Sequence, residues 1–434
     1  MAKANEGKPL PATQPGARSA VAYYNSGNAY RGKNDYDRAI ADYNEAIRLD
    51  PTYAVAYNNR GVAYRDKKDY DRAIADFNEA VRLDPNFALA YNSRGITYKL
   101  KRDSDRAVAD YSEAIRINPK FAPAYNNRGI AYRDRKDFDH AIADYNEAIR
   151  LDPNYANAYF SRAALYQGTK DYGRAIMDYS EAIRIKPIIP IAATETGEMH
   201  VNAYHGRGTA YRDQGDWDRA IADFNEALRI DPDYAAAYNN QRGVAYFYKG
   251  DDNRAIADYH EAIRLNSNDA SPYNNRGNAY AKRKDYDRAI ADYDEAIRLN
   301  PRSALYLMNR GNAFLSKKNY DRAVADYTAA IRITPLPSVI GARGEGHGNA
   351  YFKRGYVYDQ KRDYDRAIAD YNEAIRLDPK FAFAYNNRGF MHYQKKEYDR
   401  AIADYNEAIR LEPNYTLALN NRANAYRARQ QLKH

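Results

Sequence analysis

Apolar and polar residues alternate along this chain with helical rhythm, broken at short, regular intervals. Residues 54–87 read AVAYNNRGVAYRDKKDYDRAIADFNEAVRLDPNF. Tyr57, Gly61 and Tyr64 are spaced four and three apart, so they share one face of a first helix. Ala73, Phe77 and Ala80 repeat that spacing on a second helix. Small residues at Gly61, Ala73 and Ala80 let the two backbones approach, and the aromatic rings fill the space beside them. Asp69 is placed to cap the second helix, and Pro85 stops it after Arg82 has met its negative end. The product is a helical hairpin that cannot bury its own apolar face.

The hairpin is copied along the chain. Gly27, Gly61, Gly95 and Gly129 are 34 residues apart, and the series continues through Ala163, Gly208, Gly243, Gly277, Gly311, Gly355, Gly389 and Ala423. A period in this range predicts stacked helical repeats. The second-helix alanine recurs at residues 39, 73, 107, 141, 175, 220, 255, 289, 323, 367 and 401, once in each of eleven full repeats. The pattern Tyr57–Gly61–Tyr64–Ala73–Phe77–Ala80–Pro85 resembles the tetratricopeptide repeat, and the resemblance covers roughly residues 20–430. It implies an all-α, right-handed superhelical solenoid of antiparallel hairpins. About eleven full repeats would be closed by a C-terminal capping helix, with the first helices lining a concave groove.

Organisation follows from the spacing. Residues 1–19 hold Pro and Gly without an apolar core and read as a disordered tail, and residues 20–189 hold repeats 1–5. Insertions at 190–200 and 338–347, the second rich in glycine, follow the ends of second helices and read as surface loops, with a hinge or lid as the alternative. Between them, 201–337 hold repeats 6–9; beyond them come repeats 10–11 at 348–415 and the capping helix and tail at 416–434. Gln241 adds one residue to a first helix and predicts a bulge or a shifted start.

An arginine precedes the glycine, or the alanine replacing it, from Arg60 to Arg422, and an aspartate sits on each second helix from Asp42 to Asp404. The first repeat has Ser26 in place of the arginine, and the end helix has no aspartate. Eleven of each, offset by one repeat, suggest ion pairs across junctions, Asp42 with Arg60 through Asp404 with Arg422. Their expected role is structural, because buried charges need partners.

By the resemblance, the positions six and three before the glycine, and one and four after it, face the groove. The expected peptide-binding residues are Asn58, Arg65, Asn92, Lys99, Asn126, Arg133, His205, Arg212, Asn240, Phe247, Asn274, Met308, Phe352, Tyr356, Asn386, Phe390 and Tyr393. Asparagine offers donor and acceptor to an extended peptide backbone. The cations of the first half favour acidic side chains, and the aromatic second half apolar ones. The expected function is a non-enzymatic protein-interaction scaffold that holds an extended peptide or partner helix. Receptors that clamp a chaperone's carboxyl terminus use Lys three before the glycine, and no repeat here has it.

Composition changes little. Lys and Arg number 67 against 58 Asp and Glu, a net charge of +9 spread over 434 residues. RNA binding by charge and stacking is the main alternative reading, opposed by the acidic neighbours of many arginines, and self-assembly through an open end or the convex face is a third. The absence of Cys excludes disulfides and thiolate chemistry. The seven histidines are scattered without ligand spacing, and GARGEGHG at 341–348 lacks a P-loop Lys-Ser/Thr, so neither metal, cofactor nor catalytic centre is expected. Neither a secretory signal nor an apolar run long enough for a membrane span is read, and a cytoplasmic location is the expectation.

Overall fold

The computed structural model describes residues 19–185, 195–232, 235–333 and 347–431, with backbone only for 195–199, 235–238 and 347. Among these are twenty-three α-helices: eleven antiparallel hairpins and an end helix, Thr416–Gln431. Hairpin 2, Ala54–Asp66 and Tyr70–Leu83, is representative. The chain forms two compact bodies, residues 1–231 with hairpins 1–6 and residues 232–434 with hairpins 7–11 and the end helix. The expected tail lies outside the described residues except Ser19, whose Oγ accepts the Ala22 N–H at 3.2 Å and caps the first helix. Among the described residues no helix is long and apolar enough to cross a membrane.

Local chemistry sets where each second helix begins. Asp69 Oδ1 accepts the Arg72 N–H, and Arg72 Nε donates back to Asp69 Oδ2 at 2.6 Å. The same guanidinium lies 4.5 Å from the Tyr64 ring centre. These hydrogen bonds hold the Asp69 carboxyl below the usual carboxylate range. Hairpin 11 departs from the plan, having Glu397 at the cap and His392 in place of the tyrosine. Glu397 does not cap but binds His392 Nδ1 at 2.7 Å. In the turn between helices one residue has a left-handed backbone, Gly215 and Gly250 in two hairpins and residues such as Lys68 (φ 64°) in the others.

The core is a column of alanines and second-helix aromatics. Tyr43, Phe77, Tyr111, Tyr145 and Phe224 are buried in the first body, and Tyr293, Tyr327, Tyr371 and Tyr405 in the second. A Cβ on Gly95 would stand 2.7 Å from the Tyr111 ring, so the repeat glycine exists to seat that ring.

One insertion departs from the expectation. The second falls outside the described residues except His347, which begins a helix. In the first, residues 195–200 are not loop: they open the 19-residue helix Glu195–Asp213. Glu and Met favour helix, and no proline interrupts them. Neither insertion breaks the stack, because the helix on each side of it still packs on its neighbour. The division between bodies falls instead after Asp231. Gln241 produces no bulge; its helix, Ala235–Lys249, is continuous α and begins eight residues before Gly243, where Ala54 stands seven before Gly61.

The charge ladder pairs within hairpins, and the cross-junction expectation is wrong. Arg60 Nη2 and Nε donate to Asp76 at 2.6 and 2.8 Å, not to Asp42. The same bidentate pair recurs in ten hairpins, from Arg60–Asp76 to Arg388–Asp404. The two residues are 16 apart, and the antiparallel return of the hairpin brings them level. Both exceptions fit. Hairpin 1 has Ser26 where the arginine would stand, and the buried Oδ2 of its Asp42 has no partner; Arg422 of the end helix binds Asn406. What crosses the junction is the third guanidinium nitrogen, as in Arg60 Nη1 to Asn44 Oδ1 at 2.7 Å and Arg94 Nη1 to Asn78 Oδ1 at 2.8 Å. Exposed pairs such as Lys101–Asp71 at 2.5 Å and Arg135–Asp105 at 3.0 Å also join adjacent hairpins.

Candidate functional site

Within each body, consecutive first helices touch, as Ala54–Asp66 does Ala88–Leu100, while consecutive second helices make no comparable contact among the described residues. The first helices therefore line the inside of the stack, and the site is read on that inner face.

The asparagine row does not face a ligand. Asn58, Asn92, Asn126, Asn274 and Asn386 are at most 5 % exposed. Asn92, Asn274 and Asn386 tie repeats together, while Asn58 and Asn126 keep a buried Oδ1 without a partner. Asn127 Nδ2 donates to Asn92 Oδ1 at 3.0 Å, Asn309 to Asn274 at 2.9 Å and Asn421 to Asn386 at 3.0 Å. Asn240, half-buried, accepts from Asn275 in the same way at 3.0 Å. A peptide backbone would have to break this ladder to use it.

The cations do reach the inner face, but not as free charges. Arg65 is paired with Asp66 at 2.9 Å, Arg133 with Asp134 at 3.1 Å and Arg212 with Asp213 at 2.7 Å, while Lys99 lies 4.0 Å from Asp134. Burial pulls the Lys99 ammonium below its usual range, opposed by Asp134 and reinforced by Arg133. The arginines at second-helix ends are likewise held by glutamates, Arg82 by Glu79 at 2.5 Å and Arg116 by Glu113 at 2.6 Å.

Among the other expected residues, His205 is half-buried beside Phe224, 5.8 Å between ring centres, and burial lowers its pKa. Phe247 is covered by the Lys282 ammonium, 4.7 Å from its ring centre, and Met308 packs against the cluster around Phe314 and Tyr327. Hairpins 10–11 bring aromatics together: Phe352 lies 4.7 Å from Phe381, Phe383 lies 5.0 Å from Tyr415, and Phe390 stacks on Tyr393 at 6.5 Å. Tyr356 is exposed.

The residues most available to a partner belong to the same stripe but lie outside the expected set. Six before the glycine, Val21, Val55 and Leu89 form an exposed apolar row in the first body, Leu89 at 47 %. Leu305, Phe383 and Leu417 continue the position in the second body. The signal was legible: an apolar residue at a position that elsewhere carries Asn157 or Asn202.

In hairpins 1, 3, 4, 8 and 9 the position after the glycine separates satisfied from unsatisfied buried tyrosines. Tyr43, Tyr293 and Tyr327 donate their hydroxyls to Asn28, Asn278 and Asn312 at 2.7–2.8 Å. In hairpins 3 and 4 that place is Ile96 and Ile130, and the buried hydroxyls of Tyr111 and Tyr145 have no partner. An unmet buried hydroxyl costs about 1–3 kcal/mol. Tyr111→Phe is therefore expected to hold or raise stability by about 1 kcal/mol, and Tyr327→Phe to lower it by about 1 kcal/mol. Denaturant melts that fell equally for both would refute this.

Comparison with known proteins agrees with this architecture. Family models described as tetratricopeptide repeat match residues 24–86, 88–121, 122–155, 144–177, 201–234, 274–336, 348–381 and 382–415, and one described as TPR repeat matches 243–284. No match was found among the curated proteins. Among solved structures, yeast Tom70 is 18 % identical over 95 % of this chain and 96 % of its own, with a TM-score of 0.44. A tetratricopeptide repeat protein from Parabacteroides merdae is 19 % identical over 60 % of this chain and 98 % of its own, with a TM-score of 0.43. MamA is 28 % identical over 36 % of this chain and 92 % of its own, with a TM-score of 0.33. Likeness at these scores says nothing of function.

Proposed function

The chain belongs to the tetratricopeptide repeat family and is a protein-interaction scaffold rather than an enzyme, and on that premise we propose that its inner face holds a partner segment bearing apolar and acidic side chains. The observation that supports this is the exposed row of Val21, Val55 and Leu89 on consecutive first helices. Solvent-facing apolar side chains aligned over three repeats form a strip that a partner can cover. Beside the strip, Arg65, Lys99 and Arg133 share two carboxylates, Asp66 and Asp134, which leaves one positive charge over. A partner carboxylate at Lys99 would give the desolvated ammonium a further counter-charge. In the second body Leu305, Phe383 and Tyr356 favour apolar side chains.

Because the row is buried, and Asn92, Asn240, Asn274 and Asn386 are engaged with asparagines of the next repeat, recognition runs through the partner's side chains rather than its backbone. Leu89→Asp removes the centre of the strip. Burying a leucine contributes roughly 1.5–3 kcal/mol, so affinity for a labelled peptide alternating Leu and Glu should drop at least tenfold in fluorescence anisotropy. Unchanged affinity would remove the strip from consideration, and equal binding of a Leu–Lys peptide would remove the charge preference.

A further inference from the structure

At the position four after the glycine, most repeats carry a long side chain: Arg65, Lys99, Arg133, Phe247, Leu315 and Tyr393 among them. Hairpin 8 has Ala281. The truncation coincides with a cavity of about 280 Å³ on the inner face between hairpins 8 and 9, lined by Asn278, Ala281, Tyr293, Asn309, Asn312 and Ser316 among others. None of its lining residues carries a charge.

Hydrogen bonding sets what the cavity offers. Asn278 Oδ1 accepts the Tyr293 hydroxyl and Asn312 Oδ1 that of Tyr327, both at 2.8 Å. Those bonds orient the two amides and leave their Nδ2 hydrogens as donors. Asn309 spends Nδ2 on Asn274 at 2.9 Å and keeps Oδ1 as an acceptor. Ser316 donates to the Asn312 carbonyl at 3.0 Å. The wall is thus neutral, with donors and an acceptor side by side.

We infer that this cavity is a side-chain pocket for an uncharged carboxamide, a glutamine or asparagine of the segment bound along the inner face. A carboxamide matches the wall atom for atom: its oxygen takes Nδ2 hydrogens and its NH2 donates to Asn309 Oδ1. A carboxylate would lose water against amides with no cation in the lining, and an ammonium would find one acceptor and no carboxylate there. The inference rests on the inner-face reading above and adds a specificity element in the second body, distinct from the cationic stretch of the first.

The test is a positional-scanning library of 12-residue peptides on the intact chain, compared with Ala281→Arg and Ala281→Leu. Both side chains stand at the equivalent place in other repeats, so the fold should accept them, and a melting curve checks this. The wild type is expected to prefer Gln or Asn at one position by at least tenfold over Glu and Lys. Both variants should lose that preference alone and keep the selection elsewhere. A profile unchanged in the variants, or a preference for charge at that position, would overturn the pocket while leaving the inner-face reading intact. A wild-type chain that selects no peptide would overturn both.

Discussion

Replacing Arg94 by alanine is expected to destabilise the first body by about 3–5 kcal/mol, the range for removing one partner of a buried ion pair. Its side chain is 17 % exposed and that of Asp110 is 8 % exposed, joined at 2.6 and 2.8 Å. Alanine strands the Asp110 carboxylate among alanines and also removes the bond from Nη1 to Asn78, which couples hairpins 2 and 3. Lysine should not rescue it, because an ammonium cannot bridge both carboxylate oxygens and reach Asn78 at once. Urea denaturation of single and double mutants separates the two possible pairings. Arg94 and Asp110 should show a large coupling energy, whereas Arg94 and Asp76 should be close to additive. Strong coupling of Arg94 to Asp76 instead would restore the cross-junction pairing that the sequence count suggested.

The second large effect is expected at Gly206. Repeat 5 has Ala163 where its neighbours have glycine, so the ring of Tyr179 cannot settle as its counterparts do. Its hydroxyl donates instead to Gln167 at 2.8 Å, four residues after Ala163 rather than one. The ring then crowds the next first helix, where a Cβ on Gly206 would lie 2.5 Å from Tyr179 Cζ. Most other repeats have a larger residue at this place, such as Asn59, Asn127 or Asn275. Gly206 thus appears once, where Ala163 demands it. Gly206→Asn overpacks the site and should lower stability by about 1–3 kcal/mol or more. Adding Ala163→Gly frees the ring to return and should recover most of the loss. A melting temperature unmoved by Gly206→Asn, or a double mutant worse than the single, would refute the compensation.

How far the sequence carries can be seen at individual residues. The spacing of Gly61, Ala73 and Phe77 is enough to place the hairpin, its cap at Asp69 and its end before Pro85, since each is a local consequence of helix geometry. The inner stripe was legible as a set of positions, but which of its rows is covered was not. Asn58 and Leu89 occupy that stripe three and six residues before the glycine, yet one lies under the neighbouring helix and the other in solvent. A polar side chain gives a misleading cue: Asn92, Asn274 and Asn386 serve to bond the next repeat across the junction. The sequence marks Arg60 as half of a buried pair but not its partner, because equal counts of arginine and aspartate fit two registers and only the return of the hairpin chooses between them.

By itself, then, the order of residues determined the all-α class, the repeat, its hairpins and the residue types that pack them. All of these depend on neighbours within about one repeat. Tertiary structure decided which carboxylate each arginine binds, which inner row reaches solvent, and where a truncated side chain leaves a cavity. Those depend on how far one hairpin shifts against the next, and a periodic pattern reads the same for several such shifts. Steric contact between stacked helices removes that degeneracy.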